Sequence, residues 1–138
     1  MNRIFVYGTL KRGYPNFEIG MTGTEFVGEF RTVEKYPLVT GGPWHIPNLI
    51  DEPGIGHRVL GEIFLADDKS LAFLDDFESV DRPTGYRRVE RSFEHLDQPL
   101  VTNAWVYVRD RWNIDGNLEE LTENYPLEAR YIPPSKRP

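Results

Sequence analysis

The chain has 138 residues, a formal net charge of −6 and no cysteine. Disulfides, thiolate nucleophiles and cysteine-ligated metal sites are therefore excluded, and an acidic balance without a basic stripe argues against a nucleic acid partner. The 12 glycines and 11 prolines exceed the usual combined share of about 12%, so the backbone must turn often.

The length is that of one ordinary domain, and a single domain over residues 1–138 is expected. Arg3 to Val6 reads as a short buried strand, followed by a Gly-containing loop from Tyr7 to Asn16. The apolar run before that loop is too short for a signal peptide. No stretch approaches the ~18–20 apolar residues of a membrane span, so the expected location is cytoplasmic, with no membrane partner. Gly20 to Phe30 is punctuated by glycine and reads as extended. Tyr36 to Leu38 surrounds Pro37 and suggests an edge segment or loop. Gly41 to Pro47 reads as irregular chain, with Ile46-Pro47 open to either isomer although most X–Pro bonds are trans. Pro53 to Gly56 is a turn, and Val59 to Leu65 a strand with Val59, Gly61, Ile63 and Leu65 on one face. Asp67 or Asp68 caps a helix carrying Leu71, Phe73, Leu74 and Phe77. After a loop from Asp81 to Gly85, Tyr86 to Phe93 and Leu100 to Val108 form two strands joined through His95 to Pro99. The tail from about residue 109 is the least legible part; Asn117 to Asn124 reads as a short helix, and Pro133-Pro134 with the basic end as frayed. Strands outnumber helices and are mostly hairpin-linked, which predicts an α+β domain on a curled antiparallel sheet or small barrel.

One carboxylate is out of place. On a helical wheel of about 100° per residue, Glu78 falls between Leu71 and Leu74, inside the apolar arc, while Asp76 falls opposite and Asp75 is marginal. A carboxylate on that side is desolvated and its pKa rises, which suits a general base near neutral pH. The alternative is an ion pair with Arg87 or Arg88. The loop Tyr7-Gly8-Thr9-Leu10-Lys11-Arg12-Gly13 leaves a buried strand. It is either a plain strand-end turn or a nest of backbone N–H groups for a carboxylate or oxyanion. Tyr14-Pro15 stands where a nucleotide P-loop needs Lys-Ser/Thr. No serine lies in Gly-x-Ser-x-Gly, and His45, His57 and His95 lack metal-ligand spacing, so no metal site is expected. Arg87, Arg88 and Arg91, interrupted by Glu90, read as a solvated strand face rather than a phosphate site.

Tyr7-Gly8-Thr9-Leu10-Lys11 with Gly13 and Asn16 resembles the N-terminal signature of the γ-glutamylcyclotransferase-like (AIG2-like) family. Leu74-Asp75-Asp76-Phe77-Glu78-Ser79, followed by Tyr86-Arg87-Arg88, resembles its second signature. Between them, Tyr36-Pro37-Leu38-Val39, Ile46-Pro47 and Pro53-Gly54-Ile55-Gly56 are similar to the γ-glutamylamine branch, and the likeness spans roughly residues 3 to 108. The resemblance implies a compact α+β domain with a small, mostly antiparallel β-barrel and flanking helices. It implies γ-glutamylamine cyclotransferase activity without a cofactor: a small-molecule γ-glutamyl amine such as ε-(γ-glutamyl)-lysine is cyclised to 5-oxoproline and the amine is freed. Glu78 matches the family's catalytic glutamate, and Tyr7, Gly8, Thr9 and Leu10 its substrate loop. Ser79 stands where the family often has Gly, and Tyr131 corresponds to an aromatic near its pocket. Tyr86 either bonds near Glu78 or packs, with packing favoured. Other γ-glutamyl amides, or a non-catalytic binding role on the same fold, are the alternatives. A monomer is expected.

Overall fold

The computed structural model describes residues 1–114, 116–127 and 131–137. The order of elements is β1 (Asn2–Val6), α1 (Phe17–Gly20), β2 (Glu25–Thr32), β3 (Leu38–Gly41), β4 (Ile46–Leu49), β5 (Leu60–Ala66), α2 (Asp68–Phe77), β6 (Arg87–His95), β7 (Val101–Val108) and β8 (Leu118–Glu120), with single 3₁₀ turns at Arg111–Asn113 and Pro134–Lys136. Five strands close a barrel in the order β1-β5-β2-β6-β7. Every neighbour in it is antiparallel except the closing contact of β1 with β7, which is parallel at Ile4 and Trp105.

The strand patterns explain the closure. Ile4, Phe5 and Val6 are all buried, so this half of β1 has no solvent face. Phe5 belongs to the core cluster with Phe30, Ile63, Phe93 and Val106, and its ring stacks on Phe93 at 4.2 Å. Ile4 and Val6 belong to a second cluster with Leu10, Phe64, Leu71 and Leu74. β5 divides the same way. Ile63 and the preceding Val59 join the first cluster, Phe64 and Ala66 the second, and Leu65, assigned to the Ile63 face by alternation from Val59, is only half-buried. The helix α2 rests on that outer cluster through Leu71 and Leu74, while Phe73 is 49% exposed and stacks on Phe77. Asp67, not Asp68, is its N-cap, with Oδ1 accepting from the Ser70 amide at 2.7 Å.

A second sheet has the order β4-β3-β8 and corrects three expectations. Residues 41–47 are not irregular throughout: Gly41 and Ile46 pair at the end of a β3–β4 hairpin. Leu38 opens β3, the central strand, not an edge. Residues 118–120 are a strand, not a helix, because β3 offers an open edge and Leu121 N–H donates to Leu38 O at 2.8 Å. Local helix preference yields there to tertiary pairing. Pro47 sits on the edge strand β4, where its missing donor costs nothing, and no described peptide bond is cis. The short helix α1 lies between the two segments read as loop and extended chain. The chain end is not simply frayed: Pro134–Lys136 form a 3₁₀ turn, although part of that tail, residues 128–130 and 138, lies outside the described residues. No helix among the described residues is long and apolar enough to cross a membrane.

Candidate active site

A cavity of about 210 Å³ opens between the end of β1, the hairpin end of β4, the end of α2 and the C-terminal tail. Its wall includes Tyr7 to Leu10, Ile46 and Pro47, Phe77 to Ser79, Tyr86, Arg109, Tyr131 and Arg137. All five residues singled out from the sequence, Tyr7, Gly8, Thr9, Leu10 and Glu78, are thus brought to one cavity.

Glu78 is placed by the way α2 stops. It is the C-cap residue; the Ser79 amide donates to Asp76 O at 3.0 Å and the Val80 amide to Asp75 O at 2.9 Å. This pair of bonds is the Schellman ending, which needs a left-handed residue just past the cap. Ser79 fills that place with φ 58°. A side chain rarely adopts this conformation and glycine adopts it freely, which accounts for glycine at this position in the resembling signature. The turn is closed on its far side by Gly85, where a Cβ would lie 1.8 Å from Ser79 O.

The Glu78 carboxylate has no hydrogen bond and no ion pair among the described residues. The arginines that might have claimed it are engaged elsewhere. Arg87 pairs with Asp51 and Asp110, each at 3.0 Å, and Arg88 with Asp75 at 2.8 Å. Arg91 also holds Asp51, at 2.8 Å, so the basic stretch is an ion-paired strand face. Burial pushes the Glu78 carboxyl up to about 7, against the opposing pull of Arg109. The C-terminal end of a helix dipole acts in the same direction as burial. Glu78 is therefore an unpaired, half-buried carboxyl facing a cavity and titrating near neutrality.

The loop after β1 presents backbone, not side chains. The Leu10 side chain is 6% exposed and packs into the core cluster around α2. The Tyr7 hydroxyl donates to Tyr107 O at 2.7 Å and accepts from the Leu49 amide at 3.1 Å. It ties β4 to β7, and burial holds its pKa well above the usual phenol value. Thr9 is bound through both its carbonyl and its hydroxyl by Asn16, each at 2.9 Å. Lys11 donates to Tyr125 O at 2.9 Å, and Arg12 holds Glu62, so the basic pair anchors the loop. Burial lowers the Lys11 pKa to about 8 while Glu62 opposes the shift. What remains is the run of amides at Gly8, Thr9 and Leu10, which are buried and have no acceptor among the described residues. Buried N–H groups without partners are uncommon and suited to an anionic ligand. Gly8 is required for room rather than handedness: a Cβ would lie 2.7 Å from Pro47 Cγ, and its φ is not positive.

Arg109 gives no signal in the sequence beyond being a cation at the end of a buried strand. In the fold its guanidinium lies 4.1 Å from the centre of the Tyr86 ring and donates to Asn48 Oδ1 at 3.1 Å and Thr84 O at 3.0 Å. Its Nε is buried and unpartnered. Tyr86 does more than pack: its amide donates to Glu78 O at 3.1 Å, and its hydroxyl donates to Pro47 O at 2.7 Å and so supports the wall opposite Gly8. Tyr131 closes the tail side, accepting from Asn16 Nδ2 at 2.9 Å.

A family model described as "Gamma-glutamyl cyclotransferase, AIG2-like" matches residues 4–127. The chain belongs to this family. It is 47% identical to the gamma-glutamylaminecyclotransferase of Bos taurus, over 94% of this chain and 71% of that protein. It is also 47% identical to the gamma-glutamylaminecyclotransferase of Homo sapiens, over 99% of this chain and the whole of that protein. The crystal structure of an AIG2-like protein from Mus musculus superposes with a TM-score of 0.80 at 36% identity, covering 99% of both chains. The AIG2-like barrel expected from the sequence is thus the barrel observed. Within this family member the cavity joins both signatures, although they lie far apart in the chain.

Proposed function

We propose that the chain is a γ-glutamylamine cyclotransferase acting on a small γ-glutamyl amine of the ε-(γ-glutamyl)-lysine type. The carrying observation is Glu78, a carboxyl raised to about 7 at the wall of a cavity lined also by Gly8, Thr9 and Leu10, the carboxyl and the three amides having no partner among the described residues. The similarity to gamma-glutamylaminecyclotransferases supports the same reading.

The reaction is an internal acyl transfer. The α-amine nitrogen of the glutamyl group attacks its own side-chain carbonyl carbon, a new C–N bond closes the five-membered ring, and the bond to the leaving amine breaks. Nucleophile and electrophile lie in one molecule, so holding the curled conformer is worth on the order of 7–11 kcal/mol. Glu78 takes a proton from the attacking amine and delivers it to the departing nitrogen. A base with a pKa near the working pH is suited to both transfers. The Gly8, Thr9 and Leu10 amides supply donors for the anionic oxygens of the substrate, the α-carboxylate and the developing oxyanion, and Arg109 adds positive potential at the same wall. The working unit is taken to be the single domain of residues 1–138, a cytoplasmic monomer; sedimentation of the purified protein tests the stoichiometry. Release of 5-oxoproline from ε-(γ-glutamyl)-lysine by wild type and its loss in Glu78→Gln tests the activity and the base together. Turnover by the variant close to wild type would remove Glu78 from the mechanism.

A further inference from the structure

Arg137 has no part in the chemistry above, yet it lines the same cavity as Glu78. Its Nε donates to Ile132 O at 3.0 Å, and its guanidinium lies 4.5 Å from the centre of the Trp44 ring and 5.8 Å from that of Tyr131. The tail beneath it is fastened on two sides. Ile132 N–H donates to Trp44 O at 3.0 Å, and Tyr131 accepts from Asn16. The guanidinium is thereby held over aromatic surface, with its outer N–H groups unengaged among the described residues.

Most arginines of this acidic chain face a carboxylate, as Arg87, Arg91 and Arg111 do. The two that line the cavity, Arg109 and Arg137, have no ion pair among the described residues. They belong to different ends. Arg109 stacks on Tyr86, whose hydroxyl bonds Pro47 beside Gly8, so it stands with the catalytic loop. Arg137 stands on the tail side. From Thr9 the contacts run through Asn16 to Tyr131, and only then to Arg137. With the glutamyl group closed over Glu78 and the loop amides, the leaving amine is the portion that extends along this path. The cavity wall meets it there with tyrosine, proline and a stacked cation. That is a wall for an aliphatic stem ending in an anion, and arginine is the side chain that grips a carboxylate with paired N–H groups.

We propose that Arg137 selects the leaving amine by receiving its carboxylate, so that an amino-acid amine such as lysine is preferred over a bare alkylamine. The inference rests on the reading of the site as a γ-glutamylamine cyclotransferase. It is tested by 5-oxoproline release from two substrates, ε-(γ-glutamyl)-lysine and γ-glutamyl-n-butylamide, with wild type, Arg137→Gln and Arg137→Lys. Arg137→Gln lowers kcat/KM for the lysine substrate roughly ten- to a hundredfold, chiefly through KM, as expected for loss of a charged hydrogen bond. It leaves the butylamide within about twofold, and Arg137→Lys recovers part of the preference. The butylamide is the internal control for a disturbed tail. An equal fall with both substrates, or no fall with either, would overturn the proposal. If wild type releases no 5-oxoproline from either substrate, the functional reading fails and the assignment of Arg137 falls with it.

Discussion

Replacing Glu78 by Gln keeps the shape of the side chain and removes its charge, and the consequence for stability follows from the site. The carboxyl rises from 4.5 to about 7 on folding, chiefly through burial. At about 1.4 kcal/mol per unit, the ionised form costs the folded state roughly 3 kcal/mol, an upper figure because the cavity admits water. The sign fixes the pH window. Below pH 4.5 the group is protonated in both states and imposes no penalty. Between 4.5 and 7 the unfolded chain releases its proton while the folded chain keeps it, so stability falls as pH rises. Above 7 the full penalty is present. Gln carries none, so Glu78→Gln gains on wild type from pH 5 to pH 8 by up to ~3 kcal/mol, equivalent to about 10 °C in Tm. Urea unfolding of both proteins at pH 5, 6, 7 and 8 measures this directly. The same variant loses 5-oxoproline release by a factor of about 10² to 10⁴, and wild-type kcat/KM declines below pH 7 as the carboxylate takes a proton. A stability difference that stays constant across this range would refute the reasoning, since it would mean that Glu78 titrates alike in the folded and unfolded chains.

Arg109→Gln removes the cation that opposes the rise of Glu78, so the acid limb of the kcat/KM profile moves to higher pH; an unmoved limb would show that Arg109 does not act on the base. Gly8→Ala pushes a Cβ toward the rigid Pro47 ring, at 2.7 Å from Cγ, and costs roughly 1–3 kcal/mol or displaces the loop. Its kcat falls with the fold retained by circular dichroism, whereas wild-type kinetics would free the loop of any catalytic part. Ser79→Gly relieves a left-handed residue at φ 58° and stabilises by roughly 1 kcal/mol in urea unfolding. Asn16→Ala breaks the bonds to Thr9 and Tyr131 and raises KM more than it lowers kcat, which steady-state kinetics with ε-(γ-glutamyl)-lysine resolves.

The barrel strands were legible because their signals are local. Ile4 to Val6 is apolar without break, and residues 86–93 and 100–108 carry β-branched and aromatic side chains on either side of a short connection. The second sheet was not, because β8 is a strand only by virtue of its neighbour β3; Leu118-Glu119-Glu120 alone carries the composition of a helix. The position of Glu78 was readable from the wheel, but its freedom from Arg87 and Arg88 was not. That depends on Asp51, Asp75 and Asp110, which reach those arginines from three separate parts of the chain. Arg109 and Arg137 carry no periodic or spacing signal at all. Each acquires meaning only where a cavity wall passes it.

The geometry at Ser79 joins these levels. The left-handed turn at Ser79 ends α2 directly after Glu78, with both residues on the cavity wall. The turn that stores strain at Ser79 is therefore the one that keeps an ionisable group in a place where it lowers stability above pH 7. Two unfavourable local features, a left-handed serine and a buried carboxylate, occur at consecutive residues. The barrel and α2 supply the surplus that tolerates both, through the buried Leu71 and Leu74 at one end and the N-cap Asp67 at the other. Local disagreement with an otherwise consistent fold marks a functional site. Here it falls at the carboxyl proposed as the base for a reaction whose substrate carries its own nucleophile.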